Sequence, residues 1–116
     1  MSFQDRFDKL KRITDRIKAE TLFSKVGTFN PTVPETNMIH VYLKKSETCC
    51  ENVRDGVYEK LGLKIFTRIR GAAEYPGGYR CYFEWSMGEA NGSVNDESII
   101  EAWKQFTSDL LDSEHM

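Results

Sequence analysis

The sequence has few of the features that mark membrane-bound or secreted proteins. No apolar run approaches the roughly 20 residues that cross a bilayer. The first segment, MSFQDRFDKLKR, has no apolar core like that of a secretion signal. The three cysteines, two of them adjacent, cannot form a full disulfide framework. We therefore expect no membrane partner and a cytoplasmic location.

The sequence also lacks the residue clusters of common catalytic and metal sites. Cys49 and Cys50 are adjacent, whereas paired zinc ligands are usually separated by at least two residues. The two histidines, His40 and His115, complete no site, and Gly77-Gly78 precedes a predicted strand, not a helix, so no phosphate loop is expected. We predict no metal site, core or surface thiols at Cys49 and Cys50, and no cofactor bound by this chain alone.

The balance of residue types indicates one globular domain. Of the 116 residues, 40% are hydrophobic and 29% are charged. We expect a single domain over 1–116, with an N-terminal helix over about 3–22, an α+β part over about 25–111 and a tail over 112–116. Sixteen basic and eighteen acidic residues give a net charge of −2. Nucleic acid is therefore not expected as a partner, because phosphate binding normally needs clustered Lys and Arg.

Three stretches have the apolar spacing of amphipathic helices. The first is the predicted N-terminal helix, whose stripe is either a core face or a partner surface. The second begins at its cap Ser46 and ends at Leu61, with Gly62 as its stop. The third begins after Asn95 or Asp96 and ends at Leu111. The stripes are Phe3, Phe7, Leu10, Ile13 and Ile17; Cys50, Val53, Val57 and Leu61; and Ile99, Trp103, Phe106 and Leu110.

Four stretches have the composition or alternation of β-strands. A short edge strand is expected over 25–29, a central strand over Met38 to Leu43, and two further main strands over Leu63 to Arg70 and Tyr79 to Trp85. Turns are predicted over 72–78 and 87–94, the second around Asn91-Gly92. This order predicts an α+β two-layer sandwich, a mainly antiparallel sheet with helices packed on one face.

Arg80 is the strongest candidate for ligand binding from the residues alone. A guanidinium at the start of an inner strand, just after a Pro-Gly-Gly turn, can bind a carboxylate through two parallel hydrogen bonds. Arg68 on the preceding predicted strand could lie nearby. The alternative for either arginine is a solvated or ion-paired side chain. His40 shares a strand face with Tyr42. It is either a structural histidine or a group near a cofactor or a domain contact.

The segment PETNMIHVYL, from Pro34 to Leu43, resembles the opening strand of the small C-terminal domain of threonine aldolase and β-eliminating lyase-like enzymes. These enzymes depend on pyridoxal phosphate (PLP) and have the type I fold. The order of helices, strands and the Pro-Gly turn extends the resemblance over nearly the whole chain.

The resemblance implies that Arg80, or else Arg68, would hold the α-carboxylate of an amino acid ligand. It also implies a cleft or domain contact for His40, Asn37 and Tyr42. The catalytic lysine and the phosphate cup of the family belong to a large domain that this sequence lacks. We therefore expect a domain that is not active alone, a large-domain partner chain, and a homodimer.

Two other classes of function stay open. One is a ferredoxin-like binding module for RNA or a small amino acid. The segment GGYRCYFEW places Tyr82 beside Arg80 on one strand face, as in a base-stacking platform. The acidic balance and the absence of glycine between the aromatic residues argue against it. The other is an interaction subunit that docks a partner through its sheet face or its N-terminal stripe.

Overall fold

The structure is a computed structural model that describes residues 2–72, 75–87 and 93–113. The elements in chain order are α1 (Phe3–Glu20), a 3-10 turn (Phe23–Lys25), β1 (Gly27–Asn30), β2 (Met38–Leu43), α2 (Glu47–Leu61), β3 (Arg70–Gly71), β4 (Cys81–Ser86) and α3 (Asp96–Asp112). This is the predicted order. No helix in the described ranges is both long and apolar enough to cross a membrane.

The four strands form one antiparallel sheet in the order β1-β2-β4-β3. The central strand has the predicted bounds and pairs with a neighbour on each side. Ile39, Val41 and Leu43 are buried, whereas Met38 is 39% exposed. The helices cover the face that carries Ile39, Val41 and Leu43. The predicted fold class, an α+β sandwich with helices on one face, is confirmed.

The helix ends follow from their capping residues. Ser46 Oγ accepts a hydrogen bond from the Cys49 N–H at 3.1 Å, and Asn95 Oδ1 accepts one from the Ser98 N–H at 2.8 Å. Gly62 ends α2 with a φ of 72°, a conformation that glycine adopts without strain. These three predicted caps are confirmed. At the first helix Ser2 forms a capping box with Asp5, which the sequence had not suggested.

The C-terminal part of the stripe on α1 is a core face, whereas Phe3 at its start is exposed. Leu10, Ile13 and Ile17 are fully buried. Ion pairs at the rim join α1 to the first turn of α3: the Arg12 Nε to Asp96 Oδ2 distance is 2.6 Å and the Arg16 Nη1 to Glu97 Oε1 distance is 2.5 Å. The Arg12 guanidinium lowers the pKa of the Asp96 carboxyl below its usual range. The N-terminal helix is therefore part of this fold and packs against α3.

The prediction of a main strand over Leu63 to Arg70 is wrong. Only Arg70–Gly71 is strand, because consecutive side chains of a strand point to opposite faces whereas Ile65 and Phe66 are both buried. The Phe66 ring stacks on Phe83 with centroids 4.5 Å apart. Burial of both neighbours bends the backbone away from β4.

Some predicted features lie outside the described residues. These are residues 73 and 74 of the first predicted turn, the Asn91-Gly92 turn, and the last three residues of the tail, which include His115. The predicted Pro-Gly-Gly turn is described, and its glycines Gly77 and Gly78 have φ values of 109° and 80°. It delays the start of β4 to Cys81, two residues later than predicted.

Close packing on a neighbouring helix or strand does not account for Gly56. A Cβ atom built at Gly56 in the middle of α2 meets no heavy atom within 4 Å. Glycine in a helix interior loses more backbone entropy on folding than alanine does.

We therefore expect Gly56→Ala to raise the free energy of unfolding by about 0.5–1 kcal/mol. Urea denaturation followed by circular dichroism measures the change. Gly62→Ala is the matched control and should destabilise the protein, because its φ of 72° strains an alanine. A loss of stability in Gly56→Ala would contradict the open space seen at this position.

Candidate functional site

The face of the sheet opposite the helices carries the polar and aromatic residues of the strands. We call it the outer face. Cross-strand partners lie side by side on one face, so the pairing register gives two rows across the sheet. The rows are Thr28, Tyr42, Tyr82 and Arg70, and then Asn30, His40 and Glu84. The sheet thus brings His40, Tyr42 and Tyr82 together.

Four tyrosines meet on the outer face. The rings of Tyr42 and Tyr75 stack with centroids 3.7 Å apart and an interplanar angle of 12°. The ring centroid of Tyr82 lies 5.2 Å from that of Tyr42. The Tyr79 ring meets the Tyr42 ring edge-on, with centroids 6.1 Å apart. The loop before β4 therefore folds over part of the face. Burial under these rings raises the pKa of the Tyr42 hydroxyl.

His40 has partners on the neighbouring strand. Its Nε2 lies 3.8 Å from Glu84 Oε1, and its ring lies 5.2 Å from the Tyr82 ring. Asn37 lies half-buried in the turn before β2, beside a hydrogen bond from the Met38 N–H to Thr36 Oγ1 at 3.2 Å. A role for His40, Asn37 or Tyr42 in a cleft or a domain contact stays a prediction.

Arg80 has a fixed backbone and an exposed side chain. Its N–H donates to the Leu43 carbonyl at 2.8 Å, and its own carbonyl accepts from the Ala72 N–H at 3.2 Å. The guanidinium forms no ion pair within the described part of the chain. Arg80 can therefore meet an added carboxylate without first losing a partner among those residues.

Arg68 lies at a different place, in a cleft of about 570 Å³ beside β4. The cleft exists because β3 pairs only with Cys81 and Tyr82, so among the described residues no strand covers the far side of Phe83 and Glu84. Its lining does not include Arg80, so the two candidate arginines do not share it. The lining residues are Gly62 to Arg68, Arg70, Tyr82 to Ser86 and Val94.

Sequence reasoning missed Arg70 and the loop tyrosines. Arg70 lies opposite Tyr82 on the outer face, and it also lines the cleft. The sequence did contain a signal for Arg70, because Arg68 and Arg70 alternate on one face of the predicted strand. Nothing local indicated that Tyr75 and Tyr79 would fold onto Tyr42, because that contact depends on the path of the loop.

The described residues do not form a metal site. They contain no group of three or more His, Cys, Asp or Glu side chains that could hold an ion. The three thiols are buried, as expected for structural cysteines, and the sulfurs of Cys50 and Cys81 are 3.8 Å apart. The contact with Cys81, and then burial, raises the pKa of the Cys50 thiol, which keeps it protonated and unreactive.

In the family that the sequence resembles, a lysine holds PLP. Lys64 is the lysine that lines the cleft, and its ammonium lies 5.8 Å from the ring centroid of Tyr58 on the helical side. Its amine is thus directed at that ring. We therefore derive no chemical step through PLP from this chain.

Comparison with known proteins places the fold. No protein-family model and no curated protein matches the sequence. A solved structure from Listeria monocytogenes EGD-E, of a protein assigned as an L-allo-threonine aldolase, matches with a TM-score of 0.69 and 19% sequence identity. The match covers 89% of this chain and 26% of that chain.

This match confirms the fold that the PETNMIHVYL segment suggested. At 19% identity the likeness is one of fold. The chain spans about a quarter of the length of the protein it matches, since 26% of that chain is covered. The chain therefore shares the fold of one part of that longer protein.

Proposed function

We propose that this chain acts as the small lobe of a PLP-dependent, threonine aldolase-like lyase and works with a larger lobe that carries the cofactor. The observation that carries the proposal is the fold match, which includes 89% of this chain but only 26% of the other. A fold of this extent corresponds to one lobe, so the other lobe would hold the cofactor. Catalysis would then need a partner chain.

In this proposal Arg80 binds the α-carboxylate of an amino acid. Hydrogen bonds to Leu43 on one side and to Ala72 on the other fix the main chain of Arg80. Its side chain therefore extends from a rigid backbone. A planar guanidinium matches a carboxylate with two parallel hydrogen bonds. Arg68 in the cleft is the second candidate.

The lobe would also present uncovered apolar surface for association. Phe3 at the start of α1 is 59% exposed, and Leu22 just after this helix is 56% exposed. Phe3 stacks on Phe7 with ring centroids 6.5 Å apart, whereas Leu22 lies beyond the other end of the helix. Exposed apolar groups favour contact with another protein surface. We propose a homodimer for the isolated chain.

The carboxylate clamp can be tested by titrating the chain with L-threonine and following the Arg80 side-chain Nε–H signal by NMR. L-Threonine amide is the matched ligand control, because it lacks the carboxylate. Arg80→Gln should weaken binding at least about tenfold, since hydrogen bonds to charged groups contribute about 1.5–3 kcal/mol. Loss of binding in Arg68→Gln but not in Arg80→Gln would assign the clamp to Arg68.

We expect no visible absorbance of a lysine-bound cofactor when the purified chain is mixed with PLP, and no cleavage of threonine. The reason is that, in this proposal, the lysine that holds the cofactor belongs to the larger lobe. Spectrophotometry and an aldehyde assay measure both outcomes. An absorbance band that disappears when a single lysine is replaced would show a complete site in this chain and contradict the proposal.

Light scattering coupled to gel filtration tests the homodimer. We expect twice the mass of the 13.4 kDa chain. Phe3→Ser should shift the equilibrium towards the monomer, because it removes exposed apolar surface. Val33→Ser, at a residue that is 56% exposed elsewhere, is the control. A monomeric mass at high protein concentration would rule the homodimer out.

A further inference from the structure

We propose that the outer face binds single-stranded nucleic acid, with bases stacked on Tyr82 and His40 and phosphates bound by the neighbouring cationic side chains. This function does not depend on the small-lobe proposal. It concerns the middle of the sheet face, whereas the carboxylate clamp concerns the entry to β4.

The rings occupy the two central strands of an open sheet. Tyr82 lies 5.2 Å from Tyr42 and 5.2 Å from His40, measured between ring centroids. Tyr82 is half-buried and the His40 side chain is 35% exposed, so both rings can be reached from solvent. Proteins that bind single strands use such platforms, because every base has a flat face that can stack on an aromatic side chain.

The protein already places one flat ring on this platform. Tyr75 stacks on Tyr42 at 3.7 Å and within 12° of parallel. This face-to-face arrangement is the one in which an aromatic side chain receives a base. The Tyr75 contact shows that the sheet accommodates a stacked ring, and Tyr82 and His40 continue the platform beside it.

Cationic side chains border the rings. Arg70 is the cross-strand partner of Tyr82, Arg80 is exposed two residues before Tyr82, and Lys44 Nζ lies 5.6 Å from the Tyr79 ring centroid. None of the three forms an ion pair within the ranges that the structure describes. They are placed to contact phosphates on either side of a stacked base.

Charge is unevenly divided between the helices and the rest of the described chain. The three α-helices contain thirteen acidic and nine basic residues, whereas the described residues outside them contain two acidic and seven basic ones. The other acidic residues, Glu74, Glu89 and Glu114, lie outside the described ranges. Of these cations, Arg70, Arg80 and Lys44 border the outer face, where Glu84 is the acidic residue among those described. A polyanion fits this face, and face-to-face pairing of two copies would bring like charges together.

Binding can be measured by fluorescence anisotropy with a fluorescein-labelled oligouridylate of about twelve nucleotides. We expect binding at about 50 mM salt that weakens towards 200 mM. Tyr82→Ala should weaken it about tenfold, since one base stack contributes about 1–3 kcal/mol. Tyr82→Phe keeps the ring and should bind like the natural protein. Arg70→Gln should lower the slope of log affinity against log salt by about one.

Tyr58→Ala is the matched control, because Tyr58 is 51% exposed on the helical layer and should not affect binding. Thermal melts check that each variant is folded. Absence of binding at low salt, or equal losses in Tyr58→Ala and Tyr82→Ala, would overturn the proposal. A third outcome is binding that heparin abolishes but that Tyr82→Ala does not change. It would show a simple polyanion contact without stacking and would also overturn the proposal. A dimer that Tyr82→Ala dissociates would make the face a contact between copies instead.

Discussion

The packing of β2 and β4 around Trp103 is the contact on which the rest of the fold depends. Six residue pairs join the two strands in antiparallel register. Trp103 of α3 lies fully buried against them, with its ring centroid 4.8 Å from that of Trp85 and 6.2 Å from that of Phe83. Large aromatic side chains contribute much of the apolar burial in a core. Once they face the helices, the alternate residues of both strands must face the opposite way.

This constraint creates the outer face. His40 and Tyr42 on β2, and Tyr82 and Glu84 on β4, lie there because their neighbours along the strand are in the core. A shift of one residue in register would exchange the two sets and bury a carboxylate. The same interaction therefore stabilises the fold and assembles the candidate site.

The two proposed functions share Arg80 but otherwise use different parts of this surface. Arg80 lies where the chain enters β4, beside the Pro-Gly-Gly turn, and suits a carboxylate that a second lobe would also contact. Tyr82 and Arg70 lie further along the sheet, where rings and charge form a wider surface. The uneven division of charge between the helices and the rest of the described chain bears on both proposals, because it leaves cationic side chains without ion-pair partners among the described residues.

Local chemistry in the sequence determined the helices, their caps, the central strand and the fold class. Ser46, Gly62 and Asn95 act on their own neighbours, and the stripe of α3 repeats at helical spacing, so none of these needs distant contacts. Tertiary structure decided what local patterns could not. Ile65 and Phe66 are both buried in the core, so β3 is short and the cleft beside β4 is left open. The path of the loop placed Tyr75 on Tyr42, because that contact joins residues distant in sequence.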